Sequence, residues 1–228
     1  MPIPAPEYTE ACEDRDFAEW HRGCPWCAVW LIRVEHAEVA AQMAQARARL
    51  QPWLLPRYAR QPHVTLAYRG LLAAAEGWHA AAEFGPAQLR ADIAALQSVQ
   101  MQPFTLQLQG VGSFSTVPYL AVVPNAQLQV AHDALLAHAP YPGWHYVPHV
   151  TLGHYARRLP MHEALEQLEC SVPAAWHWQT PVTQLWLARY HTHDIAGPLR
   201  FEGYFDVRTQ TYHAQPDACL GPAALNPA

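Results

Sequence analysis

Pro62-His63-Val64-Thr65-Leu66 and Pro148-His149-Val150-Thr151-Leu152 are one pentapeptide written twice in this chain. In an extended chain, side chains two positions apart share a face. His63 and Thr65 therefore project together, while Val64 and Leu66 point the other way into apolar packing. His149 and Thr151 stand against Val150 and Leu152 in the same manner. Each copy sets an imidazole beside a hydroxyl.

The surroundings of the two copies also match. Before the first, Cys27 to Val34 reads as a buried strand and Ala37 to Trp53 as a helix with apolar positions at helical spacing. Pro62 to Tyr68 is a strand, Pro86 opens a helix to about Ser98, and Phe104 to Leu108 alternates as a strand with one wet face. The pattern then restarts. Tyr119 to Val123 is a strand, and Asn125 caps a helix from Ala126 to His138. Pro148 to Tyr155 is a strand, Met161 to Leu168 a helix and Val182 to Arg189 a strand. A last strand, Phe201 to Val207, follows the Gly197-Pro198 turn.

Two pseudo-repeats, about 27–110 and 118–208, thus form one domain over 24–210. The order strand, helix, strand, helix, strand in each half suits a bilobal fold with pseudo-twofold symmetry. Residues 1–23 read as an acidic N-terminal extension and 211–228 as an Ala- and Pro-rich tail. Both ends are expected to be poorly ordered.

Composition narrows the chemistry. The 228 residues suffice for one sizeable core, and 51% hydrophobic with 14% charged residues is ordinary for a globular protein. No apolar run reaches the roughly 20 residues that span a bilayer, and the start lacks a secretory pattern, so a cytoplasmic protein is expected. The sequence contains no lysine. Covalent ATP-dependent ligation through lysine, Schiff-base chemistry and the P-loop mechanism are excluded by their usual routes. A net charge of −5 argues against a long electrostatic footprint on nucleic acid; an RNA substrate would be gripped at its end. Arg157 and Arg158 either solvate a strand exit or hold a phosphate. Five cysteines leave one unpaired, unlike a secreted disulfide framework. The Cys24-Pro25-Trp26-Cys27 run leads into a strand rather than opening a helix, which is the wrong context for a thioredoxin-like site.

Paired imidazole–hydroxyl faces opposed across a groove suit phosphodiester cleavage. One His takes a proton from the attacking oxygen and the other gives one to the leaving oxygen. The Thr hydroxyls donate to the non-bridging oxygens as charge builds. No metal or cofactor is needed. A lone strand histidine is usually a packed residue, and among 14 histidines some His-x-Thr arise by accident. Two identical pentapeptides at matching places in a repeated pattern do not.

These motifs resemble the 2H phosphoesterase superfamily, and within it the bacterial RNA 2′,3′-cyclic phosphodiesterases, also called 2′-5′ RNA ligases. Gly110 to Phe114, Thr183 to Leu187 and Phe201 to Phe205 add to the likeness, which covers about Cys27 to Val207. The resemblance implies a bilobal α+β fold, with two antiparallel sheets flanking a central cleft and helices outside. It implies catalytic side chains at His63, Thr65, His149 and Thr151. The implied activity is opening of a ribose 2′,3′-cyclic phosphate to a 2′-phosphate, with reversible 2′-5′ ligation that uses no ATP. An RNA 3′ end or a small cyclic nucleotide is the implied substrate. Members often carry Arg before the strand at Tyr119, and basic residues before the second motif. Here Val117-Pro118 and His145-Tyr146-Val147 stand in those places.

Further candidates follow from parity. Arg69 and Tyr155 fall on their motif's face if the strands run regularly, or past the strand ends in solvent. Phe114, Trp144 and Tyr146 either stack on a base or pack in the core. A zinc hydrolase using Cys24, Cys27, His191 and His193 is one alternative. A non-catalytic nucleotide-binding module is another, against which the intact motifs speak.

Overall fold

The computed structural model describes residues 6–73, 80–137 and 145–220. Its elements in chain order are α1 (Ala18–His21), β1 (Trp26–Arg33), α2 (Ala37–Leu50), β2 (His63–Leu71), α3 (Pro86–Ser98), β3 (Phe104–Ser113), β4 (Pro118–Val122), α4 (Ala126–Leu136), β5 (His149–Thr151), α5 (Met161–Glu169), β6 (His177–Val182), β7 (Gln184–His191), β8 (Arg200–Asp206) and β9 (Thr211–Ala214). The fold is α+β. Two antiparallel sheets have the orders β2-β1-β7-β8-β9 and β5-β4-β3-β6.

Local chemistry accounts for the helices. Asn125 accepts from Gln127 N–H at 2.8 Å and starts α4, as expected. Pro86 occupies the first turn of α3, where its missing N–H costs nothing. On α2, Val39, Met43, Ala46 and Leu50 are buried at helical spacing. They join Trp30, Ile32, Val64 and Leu66 in the principal core.

The strands depart from the expected symmetry. Each sheet draws on both sequence halves: β7 and β8 complete the sheet of β1 and β2, while β3 pairs with β4 and β6 in the other. The strand β6, which the sequence pattern did not announce, is the third strand of the second half. The strand expected at 182–189 instead crosses over as β7. Pro148 to Tyr155 shrinks to three paired residues: β4 begins at Pro118, which has no N–H for the ladder, and beyond it His154 and Ala156 hydrogen-bond the Trp53–Leu55 segment instead.

The N-terminal extension is not loose where it is described. Met161 N–H donates to Glu7 O at 2.9 Å, Thr9 N–H to Leu159 O at 2.8 Å and Cys12 N–H to Tyr155 O at 2.7 Å. Thr9 Oγ1 donates to Arg157 O at 2.9 Å. Arg158 lies over the Tyr8 ring at 3.5 Å. The extension straps down the chain between β5 and α5. Residues 211–220 of the tail continue the sheet as β9 and bury Leu220, so among the described residues both ends are ordered, against expectation. Among the described residues no helix is long and apolar enough to cross a membrane.

Candidate active site

The edge strands β2 and β5 meet where the two sheets adjoin, with Cα atoms within 8 Å. This brings His63 and Thr65 together with His149 and Thr151. The two histidines are held alike. His63 Nδ1 lies 2.7 Å from Gln61 O, and His149 Nδ1 lies 2.7 Å from Val147 O. A carbonyl only accepts, so each Nδ1 carries the proton and each Nε2 is left with a lone pair. Burial is the main cause of a His63 pKa of about 4, with the nearby Arg60 and His149 charges acting in the same direction. Burial also lowers His149.

The surroundings of the two histidines differ. His149 is bracketed by Phe114 and Tyr119, with ring centroids 5.0 and 5.1 Å away. Gly112 makes that bracket possible: a Cβ there would stand 2.5 Å from Tyr119 Oη. His63 is steadied by the β7–β8 connection. Ala59 N–H donates to Ala196 O at 2.8 Å, Arg60 Nη2 to Ile195 O at 2.5 Å, and Gln61 exchanges two hydrogen bonds with the Leu199 backbone.

Tyrosines tie the lobes across the junction. Tyr146 Oη donates to Thr65 O at 2.9 Å while its ring stacks on His132 at 4.0 Å. Tyr58, from the segment leading into the first motif, lies beside the side chain of Thr151 in the second. Thus each pre-motif segment reaches the threonine of the opposite motif. Tyr58 and Arg60 were missed from sequence, because nothing in Arg57 to Gln61 shows which residue faces the other lobe.

The superfamily profile for 2′-5′ RNA ligases matches residues 34–194, which contain both motifs. The chain belongs to the 2′-5′ RNA ligase superfamily. This places it among the 2H phosphoesterases, enzymes of phosphodiesterase and ligase type. Solved structures share the fold. E. coli LigT complexed with 3′-AMP is 19% identical, with a TM-score of 0.50 over 85% of this chain and 99% of that one. TT0787 of Thermus thermophilus is 16% identical, with a TM-score of 0.52 over 80% and 98%. E. coli LigT in apo form is 21% identical, with a TM-score of 0.52 over 78% and 93%. No match is found among curated proteins.

Within this superfamily member the secondary candidates divide. Phe114 and Tyr146 stand at the junction. Arg69 does not reach it. A register shift between Trp30 and Leu31 leaves Leu66 as an extra residue on β2, so alternation resets and Arg69 turns to the helix side. There it is 2% exposed, paired with Asp92 at 2.9 Å and donating to Leu135 O. Tyr155 lies beyond the end of β5, fully buried, with its hydroxyl 2.8 Å from Ser113 Oγ. Trp144 lies outside the described residues.

The four-residue zinc set does not assemble. Cys24 packs with Leu71 and Ala81, and Cys27 is buried beside Tyr190 and Tyr68, its thiol pushed up to about 11 by burial. His193 instead meets Asp16 at 2.7 Å, and Asp16 also meets His21 Nε2 at 2.6 Å. These three are the group that converges among the described residues. Gly23 N–H donates to His21 Nδ1 at 3.0 Å, so neutral His21 carries its proton on Nε2 and gives it to Asp16. The trio is a hydrogen-bonded clasp between the N-terminal extension and the β7–β8 turn.

Proposed function

We propose that this protein opens ribose 2′,3′-cyclic phosphates to 2′-phosphates without a metal, using His63 and His149 as a general base and a general acid. The observation that carries this is the matched pair of imidazoles at one junction, each with Nδ1 tied to a carbonyl and a lone pair left on Nε2. Water attacks phosphorus as one neutral His removes its proton. The P–O3′ bond breaks, and the other His, protonated, gives its proton to O3′. Thr65 and Thr151 donate hydroxyl hydrogen bonds to the non-bridging oxygens. With a 5′-hydroxyl in place of water, the same steps yield a 2′-5′ linkage and consume no ATP.

The test uses a short RNA ending in a 2′,3′-cyclic phosphate, with EDTA present, and identifies the product by phosphorus NMR. Wild type is expected to give the 2′-phosphate. His63→Ala and His149→Ala should each lower the rate on the order of 10²–10⁴. Undiminished turnover in both variants would reject the mechanism. Binding of the RNA with no product from wild type would point to a nucleotide-binding module.

A further inference from the structure

Cross-strand pairing extends the face of the first motif far beyond it. Arg33 on β1 stands opposite His63, and Leu31 opposite Thr65. Leu31 also stands opposite Trp186 on β7, and Val29 opposite Ala188. Trp186 faces Tyr204 on β8, Ala188 faces Phe201, and Tyr204 faces His213 on β9. Directly paired residues lie on one side of an antiparallel sheet. The side turned away from the core helices therefore runs from the motif histidine to the far edge strand, four strand spacings or roughly 19 Å.

Near the motif the floor is aliphatic and closed, made by Val29, Leu31, Ala188 and Leu199. Farther out it becomes a row of planar groups partly exposed to solvent. Arg33, Trp186, Phe201 and Tyr204 are half-buried and His213 is exposed. The Arg33 guanidinium lies 4.7 Å from the Trp186 ring and 4.3 Å from that of Phe201. Glu35 holds Arg33 Nε at 2.8 Å and Nη2 at 3.0 Å, fixing the guanidinium plane. Trp186 is 4.9 Å from Tyr204, which stacks on His213 at 5.0 Å and 27°. An open groove of about 250 Å³ is lined by both Arg33 and Trp186, with Thr183 and Gln184 beside them.

Unpaired nucleobases pack on exposed aromatic rings and guanidinium planes, whatever their sequence. The row is continuous with the face that carries His63 and Thr65, so a chain whose end enters the motifs would run along it. We infer that this face is a stacking platform for single-stranded RNA, with the cyclic end at the motifs and the preceding bases laid over Arg33, Trp186, Tyr204 and His213. The inference rests on the proposed reaction for which end enters the site. It adds the residues on which the nucleotides preceding that end would lie. With a net charge of −5 and Arg33 as the cation of the row, stacking rather than phosphate neutralisation supplies the affinity. Binding should then depend only weakly on salt.

Two readouts separate this inference from the reaction itself. The first is fluorescence anisotropy of a fluorescein-labelled RNA hexamer ending in a 2′-phosphate, which needs no turnover. Trp186→Leu and Tyr204→Leu should each weaken binding about five- to a hundred-fold, while Tyr204→Phe, which keeps the ring, restores it. Arg33→Gln should weaken it with little change in the salt slope. The second is the ratio of kcat/KM for a cyclic-ended hexamer to that for a cyclic mononucleotide, which should fall in the leucine variants. Hexamer binding unchanged in both leucine variants, or equal loss with Tyr204→Phe, would overturn the platform. Hexamer binding that follows the platform residues with no turnover by wild type would keep the platform and reject the reaction.

Discussion

At His63 and His149 a single short contact decides the chemistry on offer. Each Nδ1–H is committed to a carbonyl two residues back, so the reactive nitrogen of each ring is Nε2. Burial depresses both pKa values from the ordinary 6.5, and that of His63 to about 4. The proposed reaction needs one ring neutral and one protonated. In the free protein that state is most populated on the acid side of 6.5, between the two values. We therefore expect kcat/KM to peak on the acid side of pH 6.5 and to fall as pH rises through the lowered His149 value, where the acid is lost. An anionic substrate favours the imidazolium, so the falling arm of kcat should lie at higher pH. A pH–rate profile checks this, and a kcat/KM plateau extending above about pH 8 would exclude it. His63 and His149 were legible in sequence because a repeated pentapeptide is its own signal. Tyr58 was not, because its role exists only once another lobe supplies Thr151.

Among elements, β2 carries the burden of placing the first motif. Its far end is anchored in the core by Arg69, which pairs with Asp92 on α3 and donates to Leu135 O on α4. Asp92 also accepts from Trp30 Nε1 at 2.8 Å on β1. One carboxylate thus joins two neighbouring strands to a helix, and its removal strands a buried guanidinium. Asp92→Ala should destabilise the protein by about 3–5 kcal/mol, read by urea unfolding; a loss under about 1 kcal/mol would show that the network contributes little. Strand parity had put Arg69 on the motif face. The bulge at Leu66 reversed it, and a bulge arises from the pairing of two strands, which neither strand declares alone.

For the molecule as a whole, the extension and the two sheets act as one body. Residues 7–12 make successive backbone hydrogen bonds to the chain from Ser115 to Met161, beside the Phe114–His149 bracket. Deleting residues 1–12 should lower Tm by about 5 °C or more, at roughly 1 kcal/mol per hydrogen bond. The change is measured by calorimetry, and an unchanged Tm would reject the strap. The sequence alone determined the α+β class, the helices α2, α3 and α4, and the paired His-x-Thr strands, because periodicity, capping residues and an identical repeat are local properties. Only the tertiary structure decided that β3 and β7 cross into the sheet of the opposite half, that Arg69 and Tyr155 turn inward, and that Arg33, Trp186, Tyr204 and His213 line up with His63. Those relations depend on strand register between distant segments, which is fixed by packing of the whole core and leaves no mark on any one segment.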